Sequence, residues 1–133
     1  MRATRSNPDT VAAPVGSYSH AVRVETEDAV WIYVSGQIAN DLEGNLVGPS
    51  DLRAQTRQVF ENLRAILEAN GATFADVVKI GTYVTTLNDL AGMREVRSEY
   101  LTPELPASTA VQVAALVVPD ALIEIDLVAV VPA

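Results

Sequence analysis

The sequence predicts an α+β domain, one sheet with two helices on a single face, in the order ββ-α-β-α-ββ. Three observations predict it. Two segments, 51–70 and 89–101, carry apolar residues at three- and four-residue spacing. Around them stand short runs rich in Val, Ile, Thr and Tyr, bounded by Gly, Pro and Asp turn signals. Strand pairs at both ends with helices between them fit an α+β domain rather than alternating α/β winding.

Residues 1–14 are polar, with Pro8 and Pro14, and read as a flexible arm ahead of a single domain over 15–133. Tyr18–Glu25 alternates, with Ala21, Arg23 and Glu25 on one face and His20, Val22 and Val24 on the other. The acidic Glu25–Asp28 segment is a turn, and Val30–Val34 is a short apolar strand ended by Ser35-Gly36. These two strands are expected to pair as a hairpin. Turn signals at Asp41–Asn45 and Gly48-Pro49 fill the loop that follows.

The spacing of Leu52, Val59, Phe60, Leu63, Ile66 and Leu67 predicts a helix over Asp51–Asn70. Ser50 suits its N-cap, Asp51 its positive end, and Gly71 the left-handed position after its last turn. Val77–Thr86 is β-rich. Asn88 is placed to cap a second helix, Asp89–Leu101, with Leu90, Met93, Val96 and Tyr100 inward. Pro103 and Pro106 interrupt the chain. Thr109–Leu116 and Leu122–Val131, split at Pro119-Asp120, are expected to form a closing hairpin.

The last strand is apolar on both sides. Ile123, Ile125, Leu127 and Ala129 alternate with Leu122, Val128 and Val130. A sheet with two apolar faces needs two covers, and two helices supply one. Self-association through the other face is the expected remedy.

Composition narrows the function. At 133 residues the chain is long enough for one self-sufficient core. The absence of cysteine excludes disulfides, thiolate metal sites and a cysteine nucleophile. With 49% hydrophobic but only 5% aromatic residues, the core is expected to be aliphatic. A net charge of −8 disfavours nucleic acid as a partner. Arg53, Arg57 and Arg64 are interleaved with Glu61 and Glu68 and make no basic patch. No apolar run reaches bilayer length and the first 14 residues lack a signal-peptide core, so the expected place is the cytoplasm, away from membranes. One histidine and scattered carboxylates give no metal site, and the glycines form no phosphate loop. No cofactor is expected.

Seven segments resemble, in order, the Rid (YjgF-like, reactive-intermediate deaminase) family. They are Gly16-Ser17-Tyr18-Ser19-His20-Ala21, Val34-Ser35-Gly36-Gln37-Ile38, and Gln55-Thr56-Arg57-Gln58 with Asn62-Leu63. Gly71 with Asp76-Val77-Val78-Lys79, Leu87-Asn88-Asp89-Leu90, Pro106-Ala107 and Ile123-Glu124-Ile125 complete the set. The resemblance spans residues 14–131. It implies a chorismate-mutase-like fold and a homotrimer whose sheets line a central barrel, with three clefts between subunits. It also implies imine or enamine deamination, in which an arginine after the Pro-Ala pair grips the substrate carboxylate and a last-strand glutamate handles water. Here the glutamate matches Glu124, but the arginine position is Ser108, and Ala110 stands two residues on.

The expected catalytic residue is therefore Glu124, whose simpler alternative is an edge or interface ion pair. Expected ligand-binding residues are Tyr18, Ser35, Gly36, Asn88, Ser108, Thr109 and Ala110. Each has a plainer reading: Tyr18 as a strand-end aromatic, Ser35-Gly36 as a turn, Asn88 as a helix cap. Asp126 shares the face of Glu124 by alternation. His20 is expected to pack beneath the cleft, since a Ser–His–carboxylate triad lacks any nucleophile-elbow motif here. A serine hydroxyl can hydrogen-bond a carboxylate but cannot neutralise it. The function expected is a small-molecule hydrolase or deaminase for an enamine, imine or related amide, using Glu-directed water. It is not expected to be a standard 2-aminoacrylate or 2-iminobutyrate deaminase. The alternative is a non-catalytic homotrimer that binds a metabolite in the same cleft.

Overall fold

The computed structural model describes residues 1–101 and 103–133. Six strands form one mixed sheet: β1 (Arg2–Ser6), β2 (Ala21–Glu25), β3 (Ala29–Gln37), β4 (Val77–Val84), β5 (Ala107–Gln112) and β6 (Ile123–Pro132). Their spatial order is β1-β2-β3-β6-β4-β5. Two helices, α1 (Leu52–Ala69) and α2 (Leu90–Ser98), and a single 3-10 turn at Phe74–Asp76 make up the rest.

The helix stripe works as its spacing requires. Val59, Phe60, Leu63, Ile66 and Leu67 of α1 are fully buried against Ile32, Ile80, Ile123 and Ile125 of the sheet. The N-cap is Asp51, one residue later than Ser50, its carboxylate accepting from the Ala54 N–H at 3.0 Å. Gly71, at φ +77°, takes the left-handed position that follows the last turn. Buried polar side chains of α1 anchor the connections. Gln55 bonds the Gly48 and Asp120 carbonyls and the Leu122 N–H, and Asn62 bonds the carbonyls of Ile38 and Asn40.

α2 is shorter than its predicted span, and its cap is Asp89, not Asn88. The Asp89 side chain accepts from the Gly92 N–H at 3.1 Å, with the Asp89 backbone in the left-handed region at φ 61°. Two ion pairs fasten α2 to α1, Arg53–Glu95 at 2.6 Å and Arg57–Glu99 at 2.7 Å. Between the helices the core is aromatic rather than purely aliphatic. Tyr100 stacks on Phe60 at 4.8 Å and meets Phe74 edge-on at 5.5 Å.

Two expectations about the strands also fail. The polar N-terminal arm is not unstructured throughout, because Arg2–Ser6 pairs antiparallel with β2. A strand at a sheet edge needs only its backbone groups to pair, so it leaves no hydrophobic pattern. The closing hairpin is also absent. β6 runs between β3 and β4, while β5 pairs parallel to β4. The most apolar strand takes the middle of the sheet, and β5, exposed at every residue, takes its edge.

The helices cover one face of the sheet. On the other, Val22 pairs with Tyr33 and Val24 with Trp31 across β2 and β3. Val128 and Val130 of β6 lie opposite Tyr33 and Trp31. Trp31 and Tyr33 are 39% and 46% exposed on this uncovered face.

Candidate functional site

Strand alternation fixes the direction of Glu124. Ile123, Ile125, Leu127 and Ala129 are at most 2% exposed on the helix side, so Glu124 and Asp126 must point the other way. The β6–β4 register sets Glu124 opposite Tyr83 and Asp126 opposite Gly81. On its other flank β3 bulges between Val34 and Gln37. That irregularity brings Gly36 beneath the glutamate, where a Cβ would stand 2.8 Å from the carboxyl carbon of Glu124. Only glycine leaves room there. Ser35-Gly36 is therefore not the end of the strand but a bulge inside it.

Glu124 stands between two cavities. One, of about 340 Å³, is lined by Tyr18, Ser35, Gly36, Ile38, Val117 and Glu124. The other, of about 310 Å³, adjoins Tyr83, Leu116, Val117, Glu124 and Asp126. The Tyr18 hydroxyl accepts from the Val15 N–H at 3.3 Å. The Ser35 hydroxyl donates to the Ser19 carbonyl at 2.6 Å, tying the 15–20 loop to β3. Tyr83 donates its hydroxyl proton to Asp126 at 3.1 Å.

Burial among apolar walls raises the pKa of Glu124 above the usual carboxylate range, and the negative charge of Asp126 raises it further. The Tyr83 hydroxyl is also pushed up, first by its bond to Asp126. A half-buried carboxylate with a raised pKa can take a proton from water and return it.

The remaining predicted residues lie elsewhere in the chain. β5 register pairs Ser108 with Ile80 and Ala110 with Thr82, which puts both on the helix side, away from Glu124. Ser108 accepts from Arg97 of α2 at 3.2 Å. Thr109 turns to the uncovered side, where Lys79 donates to its hydroxyl at 2.9 Å. Asn88 is exposed and lines a depression with Ser50, Asp51 and Thr86. His20 is buried, with one ring nitrogen 2.7 Å from the Ala12 carbonyl and the other 3.3 Å from Gln37. Tyr83 and Arg97 were not among the predicted residues. Both emerge only from strand register and helix packing. Among the described residues, no three His, Asp or Glu side chains gather as a metal site.

The family described as Endoribonuclease L-PSP matches residues 9–131. A RutC family protein of Pyrococcus abyssi is 44% identical over 116 residues, 87% of each chain. A 2-iminobutanoate/2-iminopropanoate deaminase of Dermatophagoides farinae is 35% identical over 103 residues, 77% of each. Among solved structures, RidA of the Antarctic bacterium Psychrobacter sp. superposes with a TM-score of 0.84 at 39% identity. The match covers 96% of this chain and 99% of its counterpart. The sheet that carries Gly36 and Glu124 thus has a family setting: the chain belongs to the endoribonuclease L-PSP family, the YjgF/Rid proteins.

Proposed function

We propose that this protein hydrolyses a C–N bond in a small imine or enamine, with Glu124 directing the attacking water. The observation that carries the reading is the Glu124 carboxylate, seated over Gly36 between two cavities with its pKa raised by burial. The deaminase relative at 35% identity supports the reaction class.

An enamine first takes a proton at carbon to become the iminium ion, the protonated form of the imine. Water then adds to the C=N carbon as its proton passes to Glu124. Glu124 returns the proton to the nitrogen of the adduct, and ammonia leaves as the hydroxyl gives its own proton to the carboxylate and the C=O group forms. Tyr18 and Gly36 bound the reacting end, Tyr18 through its hydroxyl and Gly36 through its backbone.

Glu124 and Ser108 lie on opposite faces of one sheet, so one ligand touches both only where two copies meet. The cleft then lies between subunits of a homotrimer, with Glu124 from one copy and Ser108, Ala110 and Asn88 from its neighbour. The apolar Trp31, Tyr33, Val128 and Val130 face supports such an assembly. Thr109 stands at its margin. The acid end of the substrate is received differently than in a standard 2-aminoacrylate or 2-iminobutyrate deaminase, because position 108 offers a hydroxyl and not a cation.

Glu124→Gln tests the reaction. Turnover of a panel of imines generated in solution should fall by about 100-fold or more, the usual contribution of a general base, while product-analogue binding persists. A glutamine variant as active as wild type overturns the proposal. A wild-type protein that binds such ligands without turning any over favours the metabolite-binding alternative.

A further inference from the structure

The helix side of β5 carries a cavity of about 340 Å³, lined by Ser108 and Ala110, which Glu124 of the same copy does not line. Leu87, Leu90 and Met93 give it apolar walls, and Arg97, Ser108 and Thr82 give it polar ones. Arg97 is half-buried on the last turn of α2 and spends an N–H on the Ser108 hydroxyl. Arg53, Arg57 and Arg64 each meet a glutamate within 3.0 Å. Arg97 has no carboxylate within ion-pair distance among the described residues, and burial alone lowers its pKa. A guanidinium carries five donors, so most of this one faces the cavity without an anion.

A second observation is independent of the first. Thr82 is 1% exposed and its hydroxyl has no hydrogen-bond partner among the described residues. It lies opposite Ala110 on β4 and so shares the cavity face with Ser108. Buried hydroxyls ordinarily find partners, and a ligand oxygen in the cavity would provide one.

We infer that Arg97, positioned by Ser108 and joined by Thr82, receives the carboxylate of a short-chain acid whose aliphatic part packs on Leu87, Leu90 and Met93. The planar guanidinium matches a carboxylate with two parallel N–H bonds. The charge missing from position 108 is supplied from the helix, and Ser108 becomes the residue that aims it. Acid imines are then accepted as substrates. That last step rests on the proposed Glu124 hydrolysis, whereas the binding of an acid does not.

The probe is 2-oxobutanoate, the acid left when 2-iminobutanoate loses ammonia, titrated into the intact protein by calorimetry. Arg97→Met, which keeps length and apolar packing, should weaken binding by about tenfold or more, equivalent to about 1.4 kcal/mol. Arg97→Lys should restore part of it. With 2-iminobutanoate as substrate, the methionine variant should raise KM and leave kcat nearly unchanged. The same Arg97 dependence should hold in Glu124→Gln, where hydrolysis is absent. Binding to the methionine variant as tight as to wild type overturns the inference, as does a wild type that fails to bind at millimolar acid. Inorganic phosphate displacing 2-oxobutanoate at lower concentration overturns the assignment to a carboxylate. Loss of turnover in Glu124→Gln with indifference at Arg97 sinks this inference alone. Arg97-dependent binding without any turnover sinks only the hydrolase.

Discussion

Glu124 shows how little of a residue's chemistry lies in the residue itself. Alternation within Ile123–Leu127 makes it the odd polar group in an apolar strand, which is visible in one dimension. Its environment comes from two other strands and its own: Gly36 of β3 beneath it, Tyr83 of β4 opposite, Asp126 two residues on. To accept a proton from water Glu124 must begin ionised, so the rate falls as pH drops through its pKa. Because that pKa is raised, first by burial and then by Asp126, the acid limb of kcat/KM should lie above that of an ordinary carboxylate. Asp126→Asn removes the second cause and leaves the first. The limb should move to lower pH without reaching the ordinary range, while the Tyr83 hydroxyl keeps an oxygen to bond. A limb that stays in place or moves upward would separate Asp126 from the site.

At the scale of elements, α1 was legible to within one residue because a helix declares itself locally, through its stripe, its cap and Gly71. α2 was legible in type, but it ends three residues earlier than expected, at Ser98, and its cap is one residue later. Asn88 and Asp89 are both good caps, and only the left-handed turn at Asp89, φ 61°, decides between them. Gly92 follows from that choice, since a Cβ there would meet the Asp89 carboxylate. Asp89→Ala loses the bond to the Gly92 N–H and keeps the unfavourable backbone. It should destabilise the protein by about 1–2 kcal/mol, read as a lower denaturant midpoint. Asp89→Asn should retain most of the stability. An alanine variant as stable as wild type would mean that α2 is held by the Arg53–Glu95 and Arg57–Glu99 pairs and not by its cap.

For the whole molecule, the uncovered face is the main unbalanced feature. Val22, Val24, Trp31, Tyr33, Val128 and Val130 form an apolar surface that the chain's own helices cannot reach. A homotrimer of about 43 kDa, three times the 14.2 kDa chain, should appear in light scattering at micromolar concentration. Trp31, the single tryptophan, sits on this face, so its fluorescence should shift on dissociation. A stable monomer would remove both the cover and the inter-subunit cleft.

The sequence by itself determined the α+β class, both helices, most strands and the polar position of Glu124, because those follow from periodicity and local turn chemistry. It also carried the family resemblance that the match over residues 9–131 bears out. It did not determine that β6 enters the middle of the sheet, that β5 runs parallel at its edge, or that Arg2–Ser6 adds a strand. Strand pairing is a contest among distant segments for the same backbone hydrogen bonds, and adjacent strands only often win it. Register then decided the chemistry. It placed Glu124 over Gly36 on one face, and Ser108 beside Arg97 on the other. Two residues that sequence had read as one site stand on opposite faces of the sheet, because side chains on a strand alternate between its two sides.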